Sequence, residues 1–165
     1  MKKFVPLALT LMLSGSALAQ TVKPDPGTTD FVTKAATSDM FEIASSKLAT
    51  ERGNDATKAF AQQMIADHTK TTSEIKGLID AGKVAAQPPS EMTKAQTAKL
   101  KKLESLNGAA FDKQYSADQV AAHKEAVALF KHYSQSGKNA DLKAWTAETE
   151  PALEHHLQMA EGLKS

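Results

Sequence analysis

The sequence predicts an all-α protein, a four-helix bundle made of two antiparallel helical hairpins. Four long stretches place apolar residues on one helical face, and strand-like alternation of useful length is missing. Turn signals made of Gly and Asn recur at 53–54 and 137–139, each between two such stretches. A long connection over 82–108 separates the two hairpins and contains a short extra helix. One long crossover between two hairpins is the ferritin-like arrangement.

The first 19 residues have the pattern of a secretory signal peptide. Two lysines at positions 2 and 3 precede an apolar segment over 4–13, and Ala-Leu-Ala at 17–19 matches a cleavage site. The apolar segment is too short to span a membrane. We therefore expect export to the periplasm, and a mature chain without a transmembrane segment.

Composition excludes several classes of protein. The chain has no cysteine, which rules out disulfides, thiolate metal sites and a lipid-attachment cysteine after the signal. Removing residues 1–19 takes away two lysines and no acidic residue, so the formal charge falls from +1 to −1. A nearly neutral surface argues against electrostatic binding to nucleic acid or anionic lipid.

The predicted domain covers residues 30–165, after a polar leader over 20–29 that contains two prolines and a glycine. Asp30 is the expected N-cap of a first helix over about 31–52. Glu42 lies at the centre of the inward arc of this helix, among mostly small neighbours. Gly53 and Asn54 then predict a tight turn into an antiparallel second helix.

The second helix contains the stretch Phe60–Ile79 and ends near residues 81–82. At about 100° per residue, His68 shares one face with the apolar residues of this stretch. The crossover that follows contains Pro88-Pro89 and a short amphipathic helix, capped by Ser90, with Leu100, Leu103 and Leu106 in one stripe.

The third and fourth helices repeat the pattern of one inward polar residue. His123 lies on the apolar face of a helix over about 109–136, and His156 on that of a helix over about 140–163. Gly137 and Asn139 predict a tight turn between these helices. Pro151 should kink or break the fourth helix.

The four inward residues are Glu42, His68, His123 and His156. Counting from each turn at about 1.5 Å per residue, the first two differ in level by roughly 6 Å and the last two by roughly 7.5 Å. Three imidazoles and one carboxylate at similar height form a plausible set of ligands for a divalent transition metal such as Zn, Cu, Fe or Mn. A di-iron carboxylate centre is not expected, because no Glu is followed by His three residues later.

A structural polar network is the alternative interpretation of the same residues. A buried histidine more often satisfies a hydrogen bond than binds a metal, and nearby polar side chains offer partners: Ser38, Ser45, Thr72, Tyr115 and Gln119. Asp67 is expected to orient His68 or to pair at the surface, and Asp112 to cap the third helix. His132 and His155 are expected to face solvent.

Six segments resemble the bacterial exported family labelled domain of unknown function 4142: Phe41-Glu42-Ile43, Phe60-Ala61-x-x-Met64-x-x-Asp67-His68, Phe111-Asp112-x-x-Tyr115, His123, Leu129-Phe130 and Leu153-x-x-His156-Leu157. The resemblance covers about residues 30–163. It implies a ferritin-like fold and an outer-membrane or periplasmic location, and it implies no activity.

Two functional classes follow from these observations. The first is a metal-binding or metal-dependent redox protein, which the four convergent residues favour. The second is a non-enzymatic envelope protein that responds to stress or binds a protein partner, with a purely structural polar network. The lack of a nucleophile–base triad, a phosphate loop or a nucleotide fingerprint favours the second class and assigns no catalytic residue.

Overall fold

The computed structural model describes residues 23–163, so the predicted signal peptide and the first three residues of the leader lie outside the described part. Within it the protein is all-helical, with no strand, which confirms the predicted class. None of the helices in this range has both the length and the apolar character needed to cross a bilayer. The five helices are α1 (Pro26–Arg52), α2 (Asp55–Asp80), α3 (Lys94–Glu104), α4 (Gly108–Ser136) and α5 (Ala140–Gly162).

The first helix begins earlier than predicted. The side chain of Asp25 accepts a hydrogen bond from the backbone N–H of Thr28 at 3.0 Å, and Pro26 occupies the first turn. Proline is favoured there because its ring presets a helical φ angle and its missing N–H would have no partner in the helix. Asp30 is therefore not the cap. It lies inside α1 and pairs with Lys34.

The turn between α1 and α2 is tight, and Gly53 within it leaves no room for a side chain. Gly53 has an extended backbone (φ −72°), and a Cβ atom there would lie 2.5 Å from the Thr57 methyl carbon. Asn54 caps α2 through a 2.9 Å bond from the Thr57 N–H, as predicted. Asn139 caps α5 in the same way, through the N–H of Leu142.

The short helix of the crossover begins a few residues further along the chain than predicted. Thr93, and not Ser90, caps α3, because Thr93 and Gln96 exchange side-chain and backbone hydrogen bonds in a capping box. Leu103 is fully buried and fixes α3 on the bundle. The fourth long helix, α5, continues through Pro151 without a break.

Contacts between helices fix their directions. Thr28 of α1 bonds Tyr133 of α4, and Ser46 bonds Tyr115, so these helices run antiparallel. The bonds of Trp145 to Glu74 and of His156 to Asp67 show that α2 and α5 are also antiparallel. Because α1 and α2 form a hairpin, α2 and α4 run in the same direction, which requires a long crossover.

A polar layer lies between two apolar clusters. One cluster contains Phe31, Ile75, Phe130 and Leu153, and the other contains Ala49, Met64, Tyr115 and Ala160. Along each long helix the predicted inward polar residue falls between the members of these two clusters. The apolar clusters therefore place Glu42 and the three histidines at one level of the fold.

Candidate metal centre

His68 points inward from α2 because it shares a face with Phe60, Met64 and Ile75, all buried. Its Nδ1 lies 2.7 Å from Oδ1 of Asp39, a buried carboxylate on α1. A carboxylate only accepts hydrogen bonds when ionised, so Nδ1 carries a hydrogen. The other ring nitrogen, Nε2, finds no hydrogen-bond partner in the described part of the protein.

His156 is held in the same way from α5. Its Nε2 lies 2.9 Å from Oδ2 of Asp67 on α2. The Asp67 side chain is 41% exposed, whereas that of His156 is 4% exposed, so the pair links the interior to the surface. The opposite nitrogen, Nδ1, has no protein partner among the described residues.

His123 of α4 bonds its own helix. Its Nδ1 lies 2.9 Å from the main-chain oxygen of Gln119, one turn earlier. A carbonyl oxygen cannot donate, so Nδ1 must carry the hydrogen, and in the neutral ring Nε2 holds the lone pair. This Nε2 is also unpartnered by the protein.

The three rings meet in the polar layer. Ring centroids are 5.6 Å apart for His68 and His123, 5.5 Å for His123 and His156, and 5.9 Å for His68 and His156. One nitrogen from each ring lies within 4.8 Å of the others. Each ring thus donates through one nitrogen and leaves the other unpaired, in a group compact enough to hold a metal ion, as histidine ligands of metals do.

Glu42 is buried beside this triad, at 1% exposure, and is not a member of the 4.8 Å group. Both of its carboxylate oxygens are buried without a hydrogen-bond partner from residues 23–163. Burial raises the pKa of Glu42 to about 7, although the nearby His68 opposes the shift. The structure therefore places three of the four predicted ligands together and the fourth next to them.

The pKa shifts differ among the three histidines. Burial lowers the pKa of His68, but the bond to Asp39 and the carboxylate of Glu42 outweigh it, so the pKa is raised. Burial and the proximity of His68 lower the pKa of His123 to about 3. The same two effects lower the pKa of His156, despite its bond to Asp67. Among the three rings, protonation is therefore most favoured on His68.

Asp39 is the main residue that the sequence analysis missed. It accepts from His68 and from the hydroxyls of Thr71 and Thr72, at 2.9 and 3.0 Å. The sequence contains a pattern that could have indicated Asp39 as a site residue, because Asp39 lies three residues before Glu42 and hence near it on the helix surface. Asp39 lies beside the centre of the inward arc of α1, which Glu42 occupies, and was therefore not predicted as a site residue.

Several other expectations can be compared with the structure. Asp67 orients His156, not His68. Asp112 accepts from the backbone N–H of Asn54 at 3.0 Å, so it secures the turn before α2 and does not cap the third long helix. His132 and His155 are exposed, as expected.

The proposed network partners mostly bond elsewhere. Tyr115 bonds Ser46, Gln119 donates its amide to Ser45, and Thr72 bonds Asp39. Of the five candidate partners, two hydrogen-bond an inward residue in the described part of the chain: the Gln119 main-chain oxygen accepts from His123, and the Ser45 hydroxyl donates to the main-chain oxygen of Glu42. The network therefore leaves the inner nitrogens and the Glu42 carboxylate unpaired.

Two clefts approach the polar layer. The α2–α5 cleft has a volume of about 280 Å³ and is lined by residues that include Asp67, His68, Glu74, Glu148, His155 and His156. A larger cleft of about 570 Å³ lies over α1, α3 and α4, with Asp39, Phe41, Phe130 and His68 in its wall. The first reaches two of the triad histidines, and the second reaches one.

The arrangement defines a helical protein with a buried histidine triad supported by hydrogen-bond acceptors. The chain belongs to the family described as Domain of unknown function (DUF4142), which it matches over residues 14–163. This confirms the family to which the sequence pattern pointed. Neither a curated protein nor a solved structure matches the chain.

Proposed function

We propose that this protein is an exported, ferritin-like helical bundle that binds one divalent transition metal ion through His68, His123 and His156. The observation that carries the proposal is the set of three buried histidines that offer nitrogens mutually within 4.8 Å, each with one ring nitrogen unpaired by the described protein. Buried polar groups are almost always paired, and each unpaired one costs about 1–3 kcal/mol. A metal ion satisfies all three nitrogens at once.

The donor set fits a borderline ion. Neutral imidazole suits Zn, Cu and Fe, and the chain has no cysteine to supply the thiolates that softer sites use. Three histidines with one further position form the pattern of a catalytic rather than a structural zinc site. Glu42, also predicted as a ligand, lies close enough to offset part of the charge of the ion. The ion would supply Lewis-acid or redox chemistry according to its identity.

Hydrogen-bond acceptors behind the ligands support the same conclusion. Asp39 and Asp67 each accept from the outer nitrogen of a triad histidine, and the Gln119 carbonyl accepts from the third. Such acceptors fix the tautomer and the ring orientation and raise the basicity of the ligand. One such acceptor behind each of the three histidines favours a metal site over a purely structural network.

The ferritin-like assignment rests on the directions of the helices. Two antiparallel hairpins joined by a crossover that contains α3 leave α2 and α4 parallel, as in bundles with one long connection. The usual di-iron centre of such bundles needs Glu-x-x-His on two helices, which this chain lacks. One ion, and not two, is therefore proposed.

Metal content and calorimetry test the proposal. Purified wild-type protein should bind one equivalent of Zn²⁺ or Cu²⁺, and His123→Ala should lose at least 90% of this binding while keeping its helical circular dichroism. His132→Ala is the matched control, because His132 is exposed and should bind like wild type. Equal binding in all three proteins would reject the site.

The alternative function makes the opposite prediction. A structural network in an envelope stress or interaction protein would bind no stoichiometric metal, and His123→Ala would reduce stability instead.

The cellular location of the protein is tested by fractionation. We expect the protein in the periplasm with Gln20 as its first residue, and a cytoplasmic chain that keeps residues 1–19 would contradict export.

A further inference from the structure

We propose that an ion at the triad keeps a coordination position open toward the α2–α5 cleft, and that a small uncharged molecule binds there. This inference rests on the proposed metal site and adds the class of its ligand. The argument depends on how the cleft meets the triad, on the number of ligands, and on the charge and size of the cleft.

The α2–α5 cleft is lined by two of the three triad histidines. His68 and His156 line it, and both residues are only 3% exposed. Each belongs to the 4.8 Å group and has one ring nitrogen, Nε2 of His68 and Nδ1 of His156, without a hydrogen-bond partner in the described part of the protein. His123 and Glu42 are not among the lining residues. The cleft therefore meets the triad along the edge between His68 and His156.

Three histidines supply nitrogen ligands at this point, and no fourth His, Cys, Asp or Glu side chain of residues 23–163 belongs to the same 4.8 Å group. A tetrahedral ion with three protein ligands keeps its fourth position for water or another external ligand. Glu42 is a buried carboxylate beside the triad, but it is not among the residues that line the α2–α5 cleft. The coordination position toward the cleft is therefore left to an external ligand.

Charge excludes most anions from this position. Asp39 and Asp67 already place two carboxylates against the triad, which balance the two charges of a divalent ion. The cleft adds the carboxylates of Glu74 and Glu148 against one lysine, Lys70. A further negative charge is therefore disfavoured by the surrounding field. An uncharged donor avoids this repulsion.

Size limits the ligand further. The volume of about 280 Å³ lies below the range of about 300–1,000 Å³ that drug-sized ligands need. A molecule of a few heavy atoms with a nitrogen or oxygen lone pair fits both conditions. Imidazole, in its neutral form, is a suitable probe of this class, and azide is an anionic probe of similar size.

The experiment uses Co²⁺-loaded protein, because the visible spectrum of Co²⁺ reports its coordination. Imidazole, added at alkaline pH, should change the spectrum saturably and bind at least tenfold more tightly than azide. Filtration followed by metal analysis after each titration verifies that the ion stays bound. An unchanged spectrum with bound Co²⁺, or azide binding as tight as imidazole, would overturn the inference.

Two substitutions on α5 test whether the small molecule reaches the ion through the α2–α5 cleft. Ala152 is exposed and lines the cleft, so Ala152→Phe should fill it and weaken imidazole binding at least tenfold with Co²⁺ content unchanged. Ala147 is exposed on the same helix and does not line the cleft, so Ala147→Phe should bind imidazole like wild type. Equal imidazole affinity in both variants would overturn the route. A wild-type protein that binds no Co²⁺ or other divalent ion would overturn the metal site itself.

Discussion

At the scale of single residues, the candidate site depends on which nitrogen of each histidine carries its hydrogen. The acceptors Asp39, Asp67 and the Gln119 carbonyl take the outer N–H groups, so the inner lone pairs are available to a metal. The same acceptors also act on charge. The bond to Asp39 raises the pKa of His68, so protonation of this ring should compete with metal binding as pH falls.

Asp39→Asn should weaken metal binding about 10–100-fold, because the amide cannot act as a charged acceptor for His68. The measurement is the dissociation constant for Zn²⁺ by calorimetry, with circular dichroism to verify the fold. Asp30→Asn is the matched control, since Asp30 lies on the same helix and pairs only with exposed Lys34. If both variants bind like wild type, Asp39 does not support the site.

Glu42→Gln should change how the stability of the metal-free protein depends on pH. The folded-state pKa of Glu42 is about 7, above its ordinary value of 4.5, so folding favours the protonated form. The stability that protonated Glu42 contributes to the folded state is fully present below pH 4.5 and is lost as pH rises through about 7. Ionising the buried carboxyl group lowers the free energy of unfolding by roughly 3 kcal/mol. Glutamine cannot ionise and avoids this loss.

Urea unfolding of both proteins at about pH 5 and about pH 8 measures the effect. The free energy of unfolding of Glu42→Gln, relative to wild type, should rise between the two conditions. A constant difference would show that Glu42 is ionised in the folded protein throughout this range.

At the scale of elements, each long helix carries one polar residue between two apolar segments. The apolar segments set the rotation of the helix, and the polar residue follows because it shares their face. The turns set the level at which these residues meet. Gly53 and Gly137 allow tight turns because Cβ atoms there would overlap Thr57 and Tyr133.

Gly53→Ala should destabilise the protein by about 1–3 kcal/mol, as expected when an added group meets closely packed atoms. Gly77→Ala is the matched substitution. Gly77 lies inside α2 with no atom within 4 Å of the added Cβ, so alanine should stabilise the protein by about 0.5–1 kcal/mol. Unfolding titrations compare the two variants. Changes of the same sign would contradict this account of the turn.

At the scale of the whole molecule, the triad joins α2, α4 and α5. Its three histidines lie 33 to 88 positions apart in the sequence. A bound ion therefore ties the second hairpin of the fold to the first. Binding to the folded state alone raises the free energy of unfolding through mass action.

Zn²⁺ at about 100 times its dissociation constant should stabilise the protein by about 2.7 kcal/mol. For a chain of this size that corresponds to a rise in Tm of roughly 5–10 °C. Differential scanning calorimetry with and without Zn²⁺ measures it. His132→Ala should show the full rise and His123→Ala none. A rise in both variants would place the stabilising ion elsewhere.

The four long helices, the two tight turns and the inward direction of Glu42 and the three histidines could be predicted from the amino-acid sequence alone. These features follow from local rules, because helical periodicity and caps involve residues within a few positions. Even so, two helix starts were misplaced, at Asp30 and Ser90, where Asp25 and Thr93 compete as stronger local caps.

Only the tertiary structure decided which groups meet. Asp39 and His68 are 29 residues apart and Asp67 and His156 are 89 apart, so their pairing depends on how whole helices rotate and slide against each other. One residue along a helix turns a side chain by about 100°, which no local pattern resolves to hydrogen-bond accuracy. For the same reason, only the packed structure showed that the three histidines converge while Glu42 lies beside them.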